Sequence, residues 1–196
     1  GRTLGETMIR SAVLTVNRAT SRGVSGTTFL ALAYLRTPWM AAFVVGALLN
    51  ALLGKCMKYT LKVRRPKGAA LSTPGMPSSH ATSLFYFATT LSLAAAAAAR
   101  AKGDGNATLA YLPVPWLAVP VLTFGYSATV AYARICLTKV HTFPQVLVGA
   151  VLGSAFGFLW MGNVLTTCDA NNRLTMENAI CGLGWGTGTS IYDLDL

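Results

Sequence analysis

Carboxylates are scarce in this sequence: 6 Asp and Glu among 196 residues, against 16 Lys and Arg. Only 11% of the residues are charged, where a soluble domain carries about 25%, which excludes an ordinary cytosolic enzyme. A disordered chain is excluded as well, because it would be polar and highly charged. The four cysteines (Cys56, Cys136, Cys168, Cys181) form no CxxC pair and no zinc-like spacing, so they define no metal or redox motif. Cys56 and Cys136 read as small apolar residues in or beside helices, and a Cys168–Cys181 disulfide in the tail stays open. Histidine occurs twice, at His80 and His141.

Apolar residues are what the chain has in quantity, 53% of the total with a mean hydropathy of +0.50. The length suits one domain, and this composition at this length implies a small integral membrane protein. The net charge of +10 first suggests nucleic-acid binding. That reading fails, because the cations punctuate apolar segments and do not coat a polar domain. Lys55, Lys58, Lys62, Arg64, Arg65 and Lys67 cluster at the end of one hydrophobic stretch, where they suit anionic headgroups, a phosphorylated substrate or a positive-inside topology signal.

A helix needs about 20 apolar residues to cross the hydrocarbon core. Four runs approach that length: Pro38 to Met57 (continuing to Lys62 before Pro66 stops it), Ala81 to Ala99, Trp116 to Ala133, and Phe143 to Leu165. Pro120 and Gly125 make the third kinkable. Gly149, Gly153 and Gly157 in the fourth form a small-residue stripe suited to close helix packing. The expected fold is therefore all-α, a multi-span transmembrane helical bundle. Residues 1–24, with Arg2, Arg10, Arg18 and Arg22, read as a basic amphipathic segment on the membrane surface. The core domain then covers 25–165, with Thr27 to Leu35 too short to span alone, and 166–196 reads as a polar, partly disordered tail. No carboxylate lies in any of the four runs, so no acidic cage for Mg²⁺ can be built within them.

Tracing these runs back and forth brings every unusual polar residue to one membrane face. The first run exits at Lys58–Arg65, the second leaves from His80, the third arrives at Arg134 and the fourth departs from His141. Lys58 and Arg65 are seven apart, which on a continuous helix returns to one face about 10 Å further along. Arg134 adds a planar fork of donors suited to phosphate oxygens. Ser78 and Ser79 stand where a helix begins, with N–H groups and hydroxyls available to an anion.

The strings Lys58-x6-Arg65-Pro66, Pro77-Ser78-Ser79-His80 and Arg134-x6-His141-x3-Gln145 resemble the type 2 phosphatidic acid phosphatases. That superfamily also holds bacterial acid phosphatases and vanadium haloperoxidases. Its motifs are Lys-x6-Arg-Pro, Pro-Ser-Gly-His and Ser-Arg-x5-His-x3-Asp, and the likeness runs roughly from Ala42 to Leu165. GMPSSH at 75–80 and HTFPQVLVGAVLGS at 141–154 look most like the dolichyl-diphosphatase-like branch and the plastid lipid phosphate phosphatases of the gamma and epsilon type.

The resemblance implies that His141 is the nucleophile, forming a phosphohistidine, and that His80 is the general acid. It implies that Lys58, Arg65, Ser78, Ser79 and Arg134 bind phosphate and that Gln145 orients the nucleophile. No metal and no cofactor is implied. The implied partner is a membrane lipid (phosphatidic acid, lysophosphatidic acid or a polyprenyl diphosphate), in the endoplasmic reticulum or a plastid membrane.

Three departures stand out. Gln145 replaces Asp; its amide oxygen can accept the imidazole N–H but supplies no charge, and Gln here also resembles the dolichyl-diphosphatase-like branch. Six residues, where the family has five, separate Arg134 from His141, so the loop bulges or Arg134 approaches from a shifted turn, with Lys139 as its substitute. Ala133 replaces Ser. These changes keep a non-catalytic, lipid-binding descendant open as the alternative. Asn106-Ala107-Thr108 is a glycosylation sequon on the opposite loop, so glycan there would place the site face in the cytosol.

Overall fold

The computed structural model describes residues 38–67, 69, 73–101, 108–109, 112–115 and 117–167, together with 8, 11, 12, 15, 19, 20, 23, 26–28 and 30. Among these, four long helices make the architecture: α1 (Pro38–Leu61), α2 (Ser79–Ala101), α3 (Ala118–Tyr132) and α4 (Phe143–Thr167). A π-helical segment, Ala133–Leu137, extends α3. Between α2 and α3 the chain makes a small antiparallel pair, β1 (Thr108–Leu109) and β2 (Leu112–Pro115), with Thr108 opposite Pro115 and Leu109 opposite Leu112.

The helix boundaries follow local chemistry. Pro38 opens α1, where a missing N–H is harmless. Lys62 closes it in a left-handed conformation (φ 49°), its N–H returning to the Lys58 carbonyl at 3.2 Å. Pro120 falls in the first turn of α3, where its missing N–H breaks no helical bond, and the helix continues through Gly125 to Tyr132. Thr142 caps α4: its carbonyl takes the Val146 N–H, and the Gln145 side chain reaches back to the Thr142 N–H at 3.2 Å. This Thr-x-x-Gln arrangement is half of a capping box.

Helix α2 is the centre of the bundle and packs on α1, α3 and α4. Its closest partner is α4, because the glycine stripe allows it: Gly149 sits against Ser78 and Ala81, Gly153 against the Thr82 backbone, Gly157 against Tyr86. Both helices thus meet every fourth residue. Further along, Trp39, Phe43, Tyr86, Phe87, Phe156 and Trp160 form one aromatic cluster with ring centroids 5.2–6.1 Å apart. It is pinned by Tyr86 Oη donating to the Phe43 carbonyl and Trp160 Nε1 to the Ala42 carbonyl, both at 2.9 Å.

Large apolar side chains cover the outside of the bundle: Leu48 and Leu52 on α1, Val121 and Leu122 on α3, Val151, Phe158 and Leu159 on α4 are all exposed. Such a surface suits lipid and not water. Among the described residues, two helical stretches, Trp39–Leu61 and Phe143–Val164, are long and apolar enough to cross a membrane. Helix α3 has 15 residues before its π extension, a rise of about 22 Å against a hydrocarbon core of about 30 Å. Helix α2 has 23 residues, a rise of about 34 Å, and its Thr82, Thr90 and Ser92 satisfy their hydroxyls on carbonyls four residues back.

In the N-terminal part, Met8, Ser11, Ala12, Thr15, Ala19, Thr20 and Gly23 are helical, and Thr20 Oγ1 lies 2.7 Å from Tyr126 Oη of α3. Arg2, Arg10, Arg18 and Arg22 lie outside the described residues, as do Asn106 of the sequon, most of Thr27 to Leu35, and the tail with Cys168 and Cys181.

Candidate active site

The four helix ends expected on one face do meet. Lys58, 8% exposed near the end of α1, donates its Nζ to Ser79 Oγ at the start of α2, 2.9 Å away. Arg65 differs from expectation, since α1 stops at Leu61 and the chain is non-helical from Lys62 to Pro66. It reaches the same place by a fold-back, in which the Gly75 N–H donates to the Val63 carbonyl (2.7 Å) and Gln145 Nε2 to the Arg64 carbonyl (2.8 Å). Its guanidinium donates to the Thr73 carbonyl (2.8 Å), Thr73 Oγ1 (3.2 Å) and the Val140 carbonyl (3.1 Å). The same Nη1 lies 3.1 Å from His141 Nε2.

The extra residue of the third motif is absorbed by the π segment. The Thr138 N–H bonds the Ala133 carbonyl five residues back at 2.9 Å, and Lys139 then turns left-handed (φ 51°). This lets the Val140 and His141 N–H groups return to the Arg134 carbonyl at 3.2 and 3.4 Å. Single π turns of this kind recur at functional sites. Arg134 is the third cation, half-buried with an Nε that has no partner among the described residues. Lys139, its possible substitute, is exposed. Lys58, Arg65 and Arg134 lie within electrostatic reach of one another, and Arg134 and Lys58 of His80.

His141 is 3% exposed and its tautomer is fixed by its neighbours. A guanidinium only donates, so Nε2, facing Arg65, must carry a lone pair. The proton then sits on Nδ1, which donates to Gln145 Oε1 at 3.2 Å. The amide cannot be turned over, because Oε1 also accepts the Thr142 N–H while Nε2 donates to the Arg64 carbonyl. Burial first, then the charges of Arg65 and Arg134, hold His141 down at about 4, against the upward pull of its bond to Gln145. It is a neutral base at pH 7. Burial also lowers Arg65 and Arg134, although an arginine stays charged in a protein.

Ser78 departs from expectation in one respect. Its N–H donates to the Gln145 carbonyl at 3.0 Å and is not free for an anion. What it offers is a fully buried hydroxyl without a partner among the described residues. Ser79 is exposed and His80 half-buried, and no hydrogen bond to the His80 ring is present among the described residues. Sequence reasoning missed Thr73 and Gly75. Gly75 lies flat on the Gln145 amide, where a Cβ would stand 2.6 Å from Nε2. The Thr-Pro-Gly turn at 73–75 was the available signal.

All six carboxylates (Glu6, Asp104, Asp169, Glu177, Asp193, Asp195) fall outside the described residues, and no cluster of three His, Cys, Asp or Glu occurs among those described. Three cations and two histidines thus converge at one end of an apolar helical bundle. Residues 39–167 match the PAP2 superfamily, and the chain belongs to that family.

Lipid phosphate phosphatase epsilon 1, chloroplastic, of Arabidopsis thaliana is 32% identical over 146 residues, 74% of this chain and 48% of its own length. Lipid phosphate phosphatase epsilon 2, chloroplastic, of the same plant is 29% identical over 123 residues, 60% of this chain and 37% of its own length. Dolichyldiphosphatase 1 of Dictyostelium discoideum is 32% identical over 125 residues, 60% of this chain and 51% of its own length. The chain spans about half the length, or less, of these relatives. No solved structure matches it.

Proposed function

We propose that this chain is an integral-membrane lipid phosphate phosphatase acting through a phosphohistidine without a metal. Its substrate is phosphatidic acid, lysophosphatidic acid or a polyprenyl diphosphate. The observation that carries the reading is the gathering of Lys58, Arg65 and Arg134 with no carboxylate among the described residues. Partly buried like charges are costly unless an anion meets them, and a phosphoryl group in transit has equatorial oxygens for all three.

In this mechanism the phosphate takes over N–H groups of Arg65 and uncovers the lone pair on His141 Nε2. That lone pair attacks phosphorus as the bond to the lipid-side oxygen breaks, and His80 gives that oxygen its proton. Burial, Arg134 and Lys58 hold His80 down at about 4, and the negative charge of the bound phosphate is what lets it carry that proton. Water then attacks the phosphohistidine, His80 receives the water's proton, and the phosphorus–nitrogen bond breaks to release inorganic phosphate. Tyr59, Tyr132 and Phe143, all exposed and each within two residues of Lys58, Arg134 or His141, suit the aromatic belt of a bilayer interface. A site at that depth meets a headgroup whose tail stays in the membrane. The longer third motif no longer favours the non-catalytic alternative, because the π segment still brings Arg134 to the cluster.

The relatives' names divide between chloroplastic lipid phosphate phosphatases and dolichyldiphosphatase, so both lipid classes belong in the test. Phosphate release in detergent micelles with EDTA is measured on phosphatidic acid and a polyprenyl diphosphate, for the intact chain and for His141→Ala. Release that survives EDTA and disappears in the variant is the expected result. Release that EDTA abolishes, or that His141→Ala retains, refutes the mechanism.

A further inference from the structure

Gln145 does more than hold the nucleophile. It is 2% exposed, and its side-chain amide joins two parts of the site. Oε1 faces α4's own start, taking His141 Nδ1–H and the Thr142 N–H, both at 3.2 Å. Nε2 faces the other way, across 81 residues of sequence, and donates to the Arg64 carbonyl at 2.8 Å. That carbonyl belongs to the peptide plane joining Arg64 to Arg65. Because the peptide is rigid, fixing its oxygen fixes the plane from which the Arg65 side chain departs. Gly75 closes over the amide from the 73–75 turn, whose Thr73 carbonyl and hydroxyl in turn receive Arg65.

We propose that Gln145 is a positioning residue for the phosphate clamp, its amide NH₂ setting Arg65 through the Arg64 carbonyl while its oxygen sets His141. An acidic residue here serves only the second task, since an ionised carboxylate accepts and cannot donate. Gln therefore gives up the charge that would steady an imidazolium and gains a tie between nucleophile and clamp. The inference rests on the phosphatase reading for its catalytic meaning, while its structural content stands without it.

The test uses the full chain in detergent, with Gln145→Glu and Gln145→Met. The first keeps the length and the acceptor and loses the donor; the second loses both. Hydrogen exchange is read at Gly75, whose N–H closes the 62–66 fold-back on Val63, and binding of inorganic vanadate is measured by calorimetry. Both variants are expected to speed exchange at Gly75 and to weaken vanadate by about tenfold, the scale of one lost buried hydrogen bond. His141→Ala, which leaves the Nε2–Arg64 bond intact, is expected to leave Gly75 exchange unchanged. In turnover, Gln145→Glu is expected to raise KM more than it lowers kcat, whereas a merely structural defect would lower active enzyme with KM unmoved.

Unchanged exchange at Gly75 in Gln145→Glu overturns the proposal whatever the activity. A wild-type chain that binds no vanadate sinks the phosphatase reading instead, and the exchange result still decides the positioning claim.

Discussion

The α2–α4 seam yields the sharpest stability prediction. A Cβ added at Gly153 would stand 2.9 Å from the Thr82 carbonyl carbon and 3.1 Å from its Cα, with the carbonyl oxygen nearer still. These are backbone atoms and cannot rotate away, and the same oxygen accepts Asn50 Nδ2 at 3.2 Å. Gly153→Ala must therefore push the helices apart or bend one of them. Overpacking of this kind costs about 1–3 kcal/mol. Alanine also improves helix propensity by about 1 kcal/mol, so the contact has to be isolated against a matched control. Gly125 in α3 provides it, having nothing within 4 Å of its added Cβ. Thermal unfolding in micelles, followed by tryptophan fluorescence, should place Gly153→Ala below Gly125→Ala by about 3–9 °C, at about 3 °C per kcal/mol for a chain of this size. If the two variants melt together, the seam is looser than the geometry states and the glycine stripe has no packing role.

Four further outcomes are expected. Arg65→Lys keeps the charge but loses the fork that reaches Thr73, Val140 and His141 together; kcat/KM should fall by about 100-fold, mostly through KM, and a loss confined to kcat would contradict the clamp. His141, ordinarily near 6.5, is held at about 4, so it is unprotonated above that value and the acid limb of kcat/KM should lie near pH 4. The same depression makes the unfolded chain bind a proton on His141 first as pH falls. Stability present above pH 6.5 is thus lost progressively toward pH 4, and His141→Asn should reduce that slope in an acid titration of unfolding, His80, also held at about 4, supplying the rest. Lys139 is exposed and left-handed, a conformation that costs a non-glycine residue about 1 kcal/mol. Lys139→Gly should therefore raise the melting temperature, while kcat/KM changes by less than about threefold; a larger loss would give that lysine a role in the site.

The helices were legible because apolar runs of membrane length are long and bounded by Pro, Lys and His. α1 ends one residue from where the sequence placed it, and α4 begins at the expected Phe143. The meeting of Lys58, Arg65, Arg134 and His141 was legible too, since alternating crossings bring their helix ends to one face. Other features depend on contacts that no local pattern carries. Arg65 leaves the helix, and its place comes from Thr73 and Val140, neither of which a spacing rule selects. The Ser78 N–H looks free at a helix start until the Gln145 carbonyl arrives from α4. Gln145 was read as a weaker carboxylate, yet Thr142-x-x-Gln145 is also a capping signal, and that signal would have pointed to its second acceptor bond.

The π turn at Ala133–Leu137 has a consequence for the membrane as well as for the site. One added residue in a continuous helix rotates everything beyond it by about 100°. Here α3 presents Val121, Leu122 and Tyr132 outward, while Arg134, two residues past Tyr132, turns inward toward Arg65 and His80. Those two directions belong to one helix, because a step of two residues turns the side chain by about 200°. The wide turn lies beyond Arg134, closing between the Ala133 carbonyl and the Thr138 N–H, so it sets the step from the guanidinium to His141. The motif spacing can therefore change by one without disturbing either the greasy stripe or the arginine. Removing a single residue between Ile135 and Leu137 would narrow that turn and shift Val140 and His141 against the Arg134 carbonyl they bond, while the outer face of α3 keeps its register.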